Sequence, residues 1–146
     1  MGGLSKESLI QRLVDAGVGF NEYARTLFEH PDFVPGLKSE RVALTQLSLS
    51  ALQLNNPCAF SDITARASSL GLGLCPLFLG AFLRLETLDQ PEGPYVTIAS
   101  PRPENDDEYP IGFYIRNVDK VLWLRGYRAV GETEWPADNE FIFRKY

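Results

Sequence analysis

The sequence has few of the residues that commonly bind transition metals, with two cysteines and one histidine among 146 residues. Cys58 and Cys75 are far apart in the sequence and belong to no CxxC pair, and His30 is the single histidine of the chain. Because a structural zinc site needs a closed set of such ligands, we predict no metal site and no cofactor. Both cysteines are expected to be buried as small apolar residues in a reducing compartment. Whether they lie close enough for a disulfide stays open, since the sequence does not give their separation.

Long apolar runs are also missing. The longest apolar region, residues 70–83, is interrupted by glycines and by Pro76, and a membrane-spanning helix needs about 20 predominantly apolar residues. The residues that follow Met1 lack the basic and then apolar segments of a signal peptide. We therefore predict a cytoplasmic protein without membrane contact.

A surplus of positive charge is absent as well. The chain has 19 acidic and 14 basic residues and a formal net charge of −5. Proteins that bind nucleic acids through phosphate contacts usually carry a basic surplus, so we expect no nucleic-acid partner. The length fits one ordinary domain with a core of its own, and we predict a single domain over residues 1–146.

Motifs of established catalytic chemistry are absent too. The sequence has no GxSxG nucleophile elbow, no GxGxxG loop and no phosphate-binding loop with its lysine. An enzyme remains an alternative, built on Cys75 at a possible helix start or on the carboxylates of Asp89 and Glu92. Each has a simpler interpretation, because a lone cysteine is commonly buried and Asp and Gly residues are typical of turns.

The first half of the chain predicts helices. Ser5 is placed to cap a helix that ends at Gly17, and Asn21 to cap a second helix that ends before Pro31. Ser61 is the expected cap of a third helix, which ends at Gly71. Residues 41–54 are ambiguous between strand and helix, and we predict a strand over about 41–47 followed by a helical turn from Ser50. Pro76 is expected to open a short helical turn over residues 76–81.

From Phe82 onward the apolar pattern alternates with a period of two, which is typical of strands. We predict a hairpin from residues 83–86 and 95–99, a second hairpin from 112–116 and 121–127, and a last strand over 140–145. Residues 101–110 and 131–139 are expected to be exposed loops. The predicted fold class is α+β: N-terminal helices over about residues 1–81 pack on one face of a mainly antiparallel sheet of about five strands over 82–146.

Alternation along these strands predicts which residues share a face. The residues expected to face the helices are Leu83, Leu85, Val96, Ile98, Phe113, Ile115, Leu122, Leu124, Phe141 and Phe143. The opposite face is expected to carry the candidate ligand-binding residues Arg84, Tyr114, Arg116, Trp123, Arg125, Tyr127 and Arg144, with Glu86, Tyr95 and Thr97 beside them.

Arginines that alternate with Tyr and Trp are suited to binding, because a guanidinium binds oxyanions and stacks on aromatic rings. We therefore predict a non-catalytic binding or protein-interaction module whose partner is a small anionic ligand or a protein. One alternative is a small hydrolase-like enzyme that acts on an anionic substrate. Another is a homodimer formed through the same face, since interfaces are enriched in aromatic residues and arginine. The simplest alternative is an ordinary half-exposed sheet face stabilised by cross-strand pairs.

Residues 65–99 carry the pattern ARAxxLGLxLCPxxxG, followed by LRL, DQPxG and IA, and VLWL and FIFR follow at 121–124 and 141–144. In this pattern the chain resembles a family of short uncharacterised bacterial proteins over roughly residues 40–146. The resemblance implies a single bacterial domain. It supplies no activity, cofactor or catalytic residue.

Overall fold

The computed structural model of the protein describes residues 1–129 and 133–146. The helices are α1 (Lys6–Asp15), α2 (Glu22–Glu29), α3 (Phe60–Ser69) and α4 (Leu79–Glu86). The strands are β1 (Gly19–Phe20), β2 (Leu44–Ser48), β3 (Leu72–Gly73), β4 (Val96–Ile98), β5 (Gly112–Val118), β6 (Val121–Tyr127) and β7 (Glu140–Lys145). Of the predicted loop 131–139, Gly131 and Glu132 lie outside the described residues. In the described part of the chain, no helix has the length and apolar character needed to span a membrane.

Two helices begin at the caps predicted from the sequence. The hydroxyl of Ser5 accepts a hydrogen bond from the Ser8 N–H at 3.1 Å, at the start of α1. The side-chain oxygen of Asn21 accepts one from the Ala24 N–H at 2.9 Å, at the start of α2. Each bond satisfies an amide that has no partner inside the helix. Gly17 follows α1 with a φ of +77°, which glycine adopts at little cost.

The start of α3 differs from the prediction. Its N-cap is Ala59, whose N–H donates to the carboxylate of Asp62 at 3.3 Å, so Ser61 lies inside the first turn. The carboxylate of Asp62 thus satisfies the backbone at the helix start in place of a Ser hydroxyl.

The strands form one open, mixed sheet in the order β1-β6-β5-β4-β7-β2. The short strand β3 also pairs with β7, at residues 144 and 145, just after the part of β7 that pairs with β4. β1 runs parallel to β6 and β4 runs parallel to β7, while the other pairs are antiparallel. The α+β class is confirmed. The prediction of a mainly antiparallel sheet of about five strands over residues 82–146 was wrong. β7 inserts between β4 and β2 and pairs parallel with β4, and three strands from before residue 82 (β1, β2 and β3) join the sheet.

The predicted strand over residues 83–86 is the end of helix α4, so the first predicted hairpin does not exist. α4 lies between α1 and the sheet, and Gly80 is close enough to β5 that a Cβ atom there would lie 3.1 Å from the Cβ of Phe113. A helix packed on two sides has apolar residues around most of its circumference. Over four residues, such a composition cannot be distinguished from strand alternation.

The second predicted hairpin is confirmed and is longer than expected. β5 and β6 pair from Gly112–Tyr127 to Val118–Val121. The two turn residues, Asp119 and Lys120, have φ values of 51° and 67°. Two consecutive positive φ values are the geometry of a type I′ turn, whose twist matches that of the paired strands.

Both faces of the sheet carry a core. On one face, α1, α2 and α4 pack against residues that include Ile98, Ile115 and Leu124. On the other, α3 and the turn around Leu49 and Leu52 pack against Phe141 and Phe143, a cluster that also holds Trp135. Phe141 and Phe143 were predicted on the first face, and this was wrong because the register pairs Phe141 with Thr97. α3 covers the part of the second face that is formed by β7 and β2. The candidate site described below lies on the remaining part, formed by β4, β5 and β6.

Candidate functional site

The register of the β5–β6 hairpin brings five of the seven predicted binding residues onto one face. Tyr114 lies opposite Arg125, Arg116 opposite Trp123, and Tyr127 opposite Gly112. Directly opposed side chains in an antiparallel pair are near neighbours. Arginine and aromatic residues therefore alternate both along and across the two strands. We call Tyr114, Arg116, Trp123, Arg125 and Tyr127 the arginine–aromatic face.

Contacts from its own strand and from β1 hold Trp123 in place. The guanidinium carbon of Arg125 lies 4.1 Å from the centroid of the Trp123 ring, a cation–π distance. The indole also lies over Gly19 of β1, where a Cβ atom would be 2.7 Å from the ring. Only a residue without a side chain allows this approach. The indole is thus packed between the β1 backbone and the Arg125 guanidinium.

Arg116 is positioned by the loop that follows α4. Its Nε donates a hydrogen bond to the carbonyl of Gly93 at 3.1 Å. The same loop is tied to the hairpin turn through Glu92, whose carboxylate accepts the Lys120 N–H at 2.8 Å. These bonds fix the direction of the Arg116 side chain before any ligand arrives.

Neither Arg116 nor Arg125 has a carboxylate within 4.0 Å among residues 1–129 and 133–146. Within the same residues, the Nε of Arg125 is buried without a hydrogen-bond partner. The other arginines near this end of the sheet are paired: Arg128 with Glu108 at 2.7 Å and Arg102 with Asp107 at 3.5 Å. Among the arginines at this end of the described sheet, the uncompensated charge is therefore on Arg116 and Arg125.

Beside these arginines lies a cavity of about 290 Å³, and four of its eight described lining residues are aromatic. We call it the tyrosine recess and define it by Tyr95, Thr97, Tyr114, Tyr127 and Trp135. The ring centroids of Tyr95 and Tyr114 are 5.0 Å apart, and those of Tyr127 and Trp135 are 6.1 Å apart. The sequence placed Tyr95 and Thr97 on this face. It missed Trp135, because the residue lies in an irregular segment, where its backbone pairs with Cys58 in an isolated bridge outside the named strands.

Burial keeps two tyrosine hydroxyls of the recess, those of Tyr127 and Tyr95, in the neutral form. Burial raises the pKa of Tyr127, whose hydroxyl donates to the carbonyl of Ile98 at 3.5 Å. Burial also raises the pKa of Tyr95, and the nearby charge of Arg116 acts in the opposite direction. Neutral phenols offer hydrogen bonds without repelling an anionic ligand.

Arg84, a predicted binding residue, lies elsewhere. It is part of α4, is fully buried, and approaches the sheet from the side opposite to the arginine–aromatic face. Its Nη1 donates to the side-chain oxygen of Gln90 at 2.7 Å and to the carbonyl of Trp123 at 3.2 Å, and its Nη2 donates to the carbonyl of Thr87 at 2.7 Å. Burial lowers its pKa to about 10. Arg84 therefore joins α4 to the hairpin as a buried structural cation.

Arg144 was also predicted on the binding face, and the register overturns that placement. Thr97 pairs with both Tyr114 and Phe141, so these three side chains share a face. Arg144 is three positions beyond Phe141 and points to the other side. Its guanidinium lies 5.5 Å from the ring of Tyr146. The error arose because residues 141–143 are all apolar, so their order does not tell which of them faces the helices.

Cys75, which was proposed for catalysis, has surroundings that disfavour it, and so do the other cysteine and the single histidine. The Cys75 thiol is fully buried, and burial raises its pKa to about 12, so the reactive thiolate is scarce at neutral pH. Cys58 is a second buried free thiol. The Nδ1 of His30 accepts the Asp32 N–H at 2.9 Å and its Nε2 lies 2.7 Å from Glu104. Both ring nitrogens are thus engaged: Nδ1 with the backbone just after α2, and Nε2 with Glu104 of the 101–110 loop.

Asp89 and Glu92 are both exposed, in the loop that follows α4, and they line a different cavity, of about 330 Å³. In the described part of the chain, no three His, Cys, Asp or Glu side chains are grouped so that they could hold a metal ion. Comparison of the chain with models of protein families, with curated proteins and with solved structures finds no match.

Proposed function

We propose that the protein is a non-catalytic binding module that holds a small anionic ligand on its arginine–aromatic face. The observation that carries the proposal is the pair of arginines, Arg116 and Arg125, which are fixed by local contacts yet have no carboxylate partner among the described residues. In a chain with a net charge of −5, such a pair creates a local field that attracts an anion.

The geometry favours an oxyanion in particular. Arg116 uses its Nε for the Gly93 carbonyl, while Arg125 rests on the Trp123 ring. The terminal nitrogens of both have no hydrogen-bond acceptor among the described residues. A guanidinium donates through a planar fork that matches a carboxylate or phosphate. Because both side chains are already ordered, little rotamer entropy is lost when such a group binds.

A cytoplasmic location and the resemblance to short bacterial proteins belong to the same proposal. Two buried free thiols support a reducing compartment, where disulfides are rare. The resemblance adds no reaction to the binding role.

The test is a thermal-shift screen of the purified chain against carboxylates, phosphates, sulfonates and nucleotides. A ligand at a hundred times its Kd adds roughly 2.7 kcal/mol of stability, which shifts the melting temperature of a domain of this size by several degrees. We expect at least one class of anion to stabilise the wild type and to lose this effect when Arg116→Gln and Arg125→Gln are combined.

The matched control is Arg41→Gln, which removes one exposed arginine away from the face. It should leave the stabilisation by the anion unchanged. Stabilisation that survives the double substitution, or that is absent for every anion, would contradict a binding role for Arg116 and Arg125. Sedimentation at micromolar concentration tests the homodimer alternative. If the wild type is a dimer and the double variant is a monomer, the face mediates self-association.

A further inference from the structure

We infer that the tyrosine recess binds a planar aromatic ring, so that the ligand of the arginine–aromatic face is an aromatic acid with its charged group on the arginines. This inference rests on the proposed function and names the chemical class of its ligand. It follows from the shape of the recess, from its walls and from the position of charge around it.

The walls of the recess present rings from several directions. Tyr95 and Tyr114 meet at an interplanar angle of 52°, Tyr114 and Tyr127 at 49°, and Tyr127 and Trp135 at 86°. Inclined rings around an open space offer both faces and edges to a guest ring. Offset-stacked and edge-to-face contacts are the arrangements that aromatic rings prefer. A flat ring can make several such contacts here, and a puckered aliphatic ring cannot.

Two small residues, Thr97 and Gly112, lie at or next to the recess and leave space for the rings around it. Thr97 of β4 lines it, and Gly112 of β5 lies opposite Tyr127. A Cβ atom at position 112 would lie 2.7 Å from the Ser100 hydroxyl and 3.3 Å from the Tyr127 hydroxyl. The missing side chain allows the Tyr127 ring to lie down across β5. Thr97 therefore lines the recess between the rings, while Gly112 makes room for the Tyr127 ring that bounds it.

The charges place the anionic group of the ligand outside the recess. Arg128 lines the recess but is paired with Glu108 at 2.7 Å, and Glu134 lines it as an exposed carboxylate. An anion inside would meet Glu134 and no uncompensated cation of the described residues. Arg125 lies directly opposite Tyr114 on the neighbouring strand. An aromatic acid whose ring fills the recess can thus extend its carboxylate onto Arg125 and Arg116.

The experiment compares three probes by isothermal titration calorimetry on the full chain. 2-Naphthoate has both the flat ring and the charge, 2-naphthamide has the ring without the charge, and decalin-2-carboxylate has the charge on a puckered ring. We expect 2-naphthoate to bind about tenfold more tightly than decalin-2-carboxylate, which is the size of one good aromatic contact. It should also bind at least about tenfold more tightly than 2-naphthamide, which cannot form charge-assisted hydrogen bonds with the arginines. This comparison needs no variant.

Two substitutions then separate the contributions. Tyr114→Leu should weaken 2-naphthoate about tenfold and leave decalin-2-carboxylate unchanged, because it removes a ring wall and no charge. Arg125→Gln should weaken both acids and leave 2-naphthamide unchanged. Tyr146→Leu and Arg41→Gln are the matched controls, since both positions are exposed and lie outside the recess. Circular dichroism checks that each variant is folded.

The outcomes distinguish the inference from the proposed function. If the two acids bind with equal affinity and both depend on Arg125, the face binds anions and the aromatic specificity is overturned. If 2-naphthoate and 2-naphthamide bind equally, the recess takes a ring and the acid is not part of the ligand, which also overturns the inference. If no probe binds at millimolar concentration, the inference fails regardless of which anion the thermal-shift screen finds.

Discussion

Arg125 and Trp123 lie two positions apart on β6 and form a stacked pair, with the guanidinium carbon of Arg125 4.1 Å from the centroid of the Trp123 ring. The Arg125 Nε is buried and has no acceptor among the described residues. The ring partly replaces the water that this cation loses, because the face of an indole is the electron-rich side. The pair therefore keeps a positive charge in a fixed position at the surface. The buried, unpaired Nε lowers the stability of the fold.

Arg125→Met tests how much this pair contributes to the stability of the fold, as distinct from ligand binding. Methionine keeps an apolar stem over the indole and removes the charge together with its unpaired nitrogen. We expect the free energy of unfolding to change by less than about 1 kcal/mol, the usual size of a partly exposed cation–π contact. Urea denaturation measures it. Fluorescence in a Trp135→Phe background, where Trp123 is the one remaining tryptophan, reports whether the indole has moved. A loss of several kcal/mol would show that Arg125 is structural and does not act mainly in ligand binding.

Arg84→Ala should destabilise the fold strongly. The substitution leaves the carbonyl of Thr87 and the side-chain oxygen of Gln90 without their donors and opens a cavity at a fully buried position. Buried polar groups that lose their partner and cavities each contribute, so we expect a loss of about 3 kcal/mol or more in chemical denaturation. Arg41→Ala, at an exposed position, should change stability by less than about 0.5 kcal/mol. Equal effects of the two variants would contradict the structural role of Arg84.

The same residue gives a pH dependence with a defined sign. Burial lowers the pKa of Arg84 from 12.5 to about 10 in the folded state, so the unfolded chain binds more protons between these values. Stability contributed by this group therefore rises as pH increases above about 10, by up to about 1.4 kcal/mol per pH unit. The measurement is the difference in unfolding free energy between wild type and Arg84→Met at about pH 9 and about pH 11. Because other groups titrate in both proteins, only the difference is informative. A constant difference would contradict a desolvated Arg84.

Cys75 should be unreactive in the folded protein. Its thiol is fully buried and its pKa is raised to about 12, so both access and thiolate are limiting near pH 8. We expect a disulfide reagent such as dithionitrobenzoate to label neither Cys75 nor Cys58 until the chain unfolds. In denaturant both should react. Rapid modification of Cys75 in the native protein, traced by comparison with Cys75→Ser, would revive the enzyme alternative.

Local sequence signals predicted the parts of the fold that depend on local structure. The caps Ser5 and Asn21 act through backbone amides three residues away, and the β5–β6 hairpin depends on alternation around a two-residue turn. For this reason five residues of the site could be predicted. The parallel pairing of β4 with β7 joins segments more than forty residues apart, and no local pattern encodes it. Arg84 was misplaced because the four residues 83–86 fit either a strand or a buried helix.

Gly19→Ala provides the sharpest test of how the arginine–aromatic face is built. Gly19 does not have a positive φ, so the backbone conformation tolerates alanine and only the contact with the indole is changed. A Cβ atom would lie 2.7 Å from the Trp123 ring, closer than packed atoms can approach. The ring must therefore tilt away, which disturbs its stack with Arg125. We expect a loss of about 1–3 kcal/mol in unfolding free energy, the usual cost of overpacking. In a Trp135→Phe background, which leaves Trp123 as the one tryptophan, we also expect a shift in emission. Gly36→Ala is the matched control, because a Cβ atom there would meet only the Lys38 carbonyl, at an ordinary 3.8 Å. If both alanine variants had the same stability and emission as the wild type, Trp123 would not lie against β1.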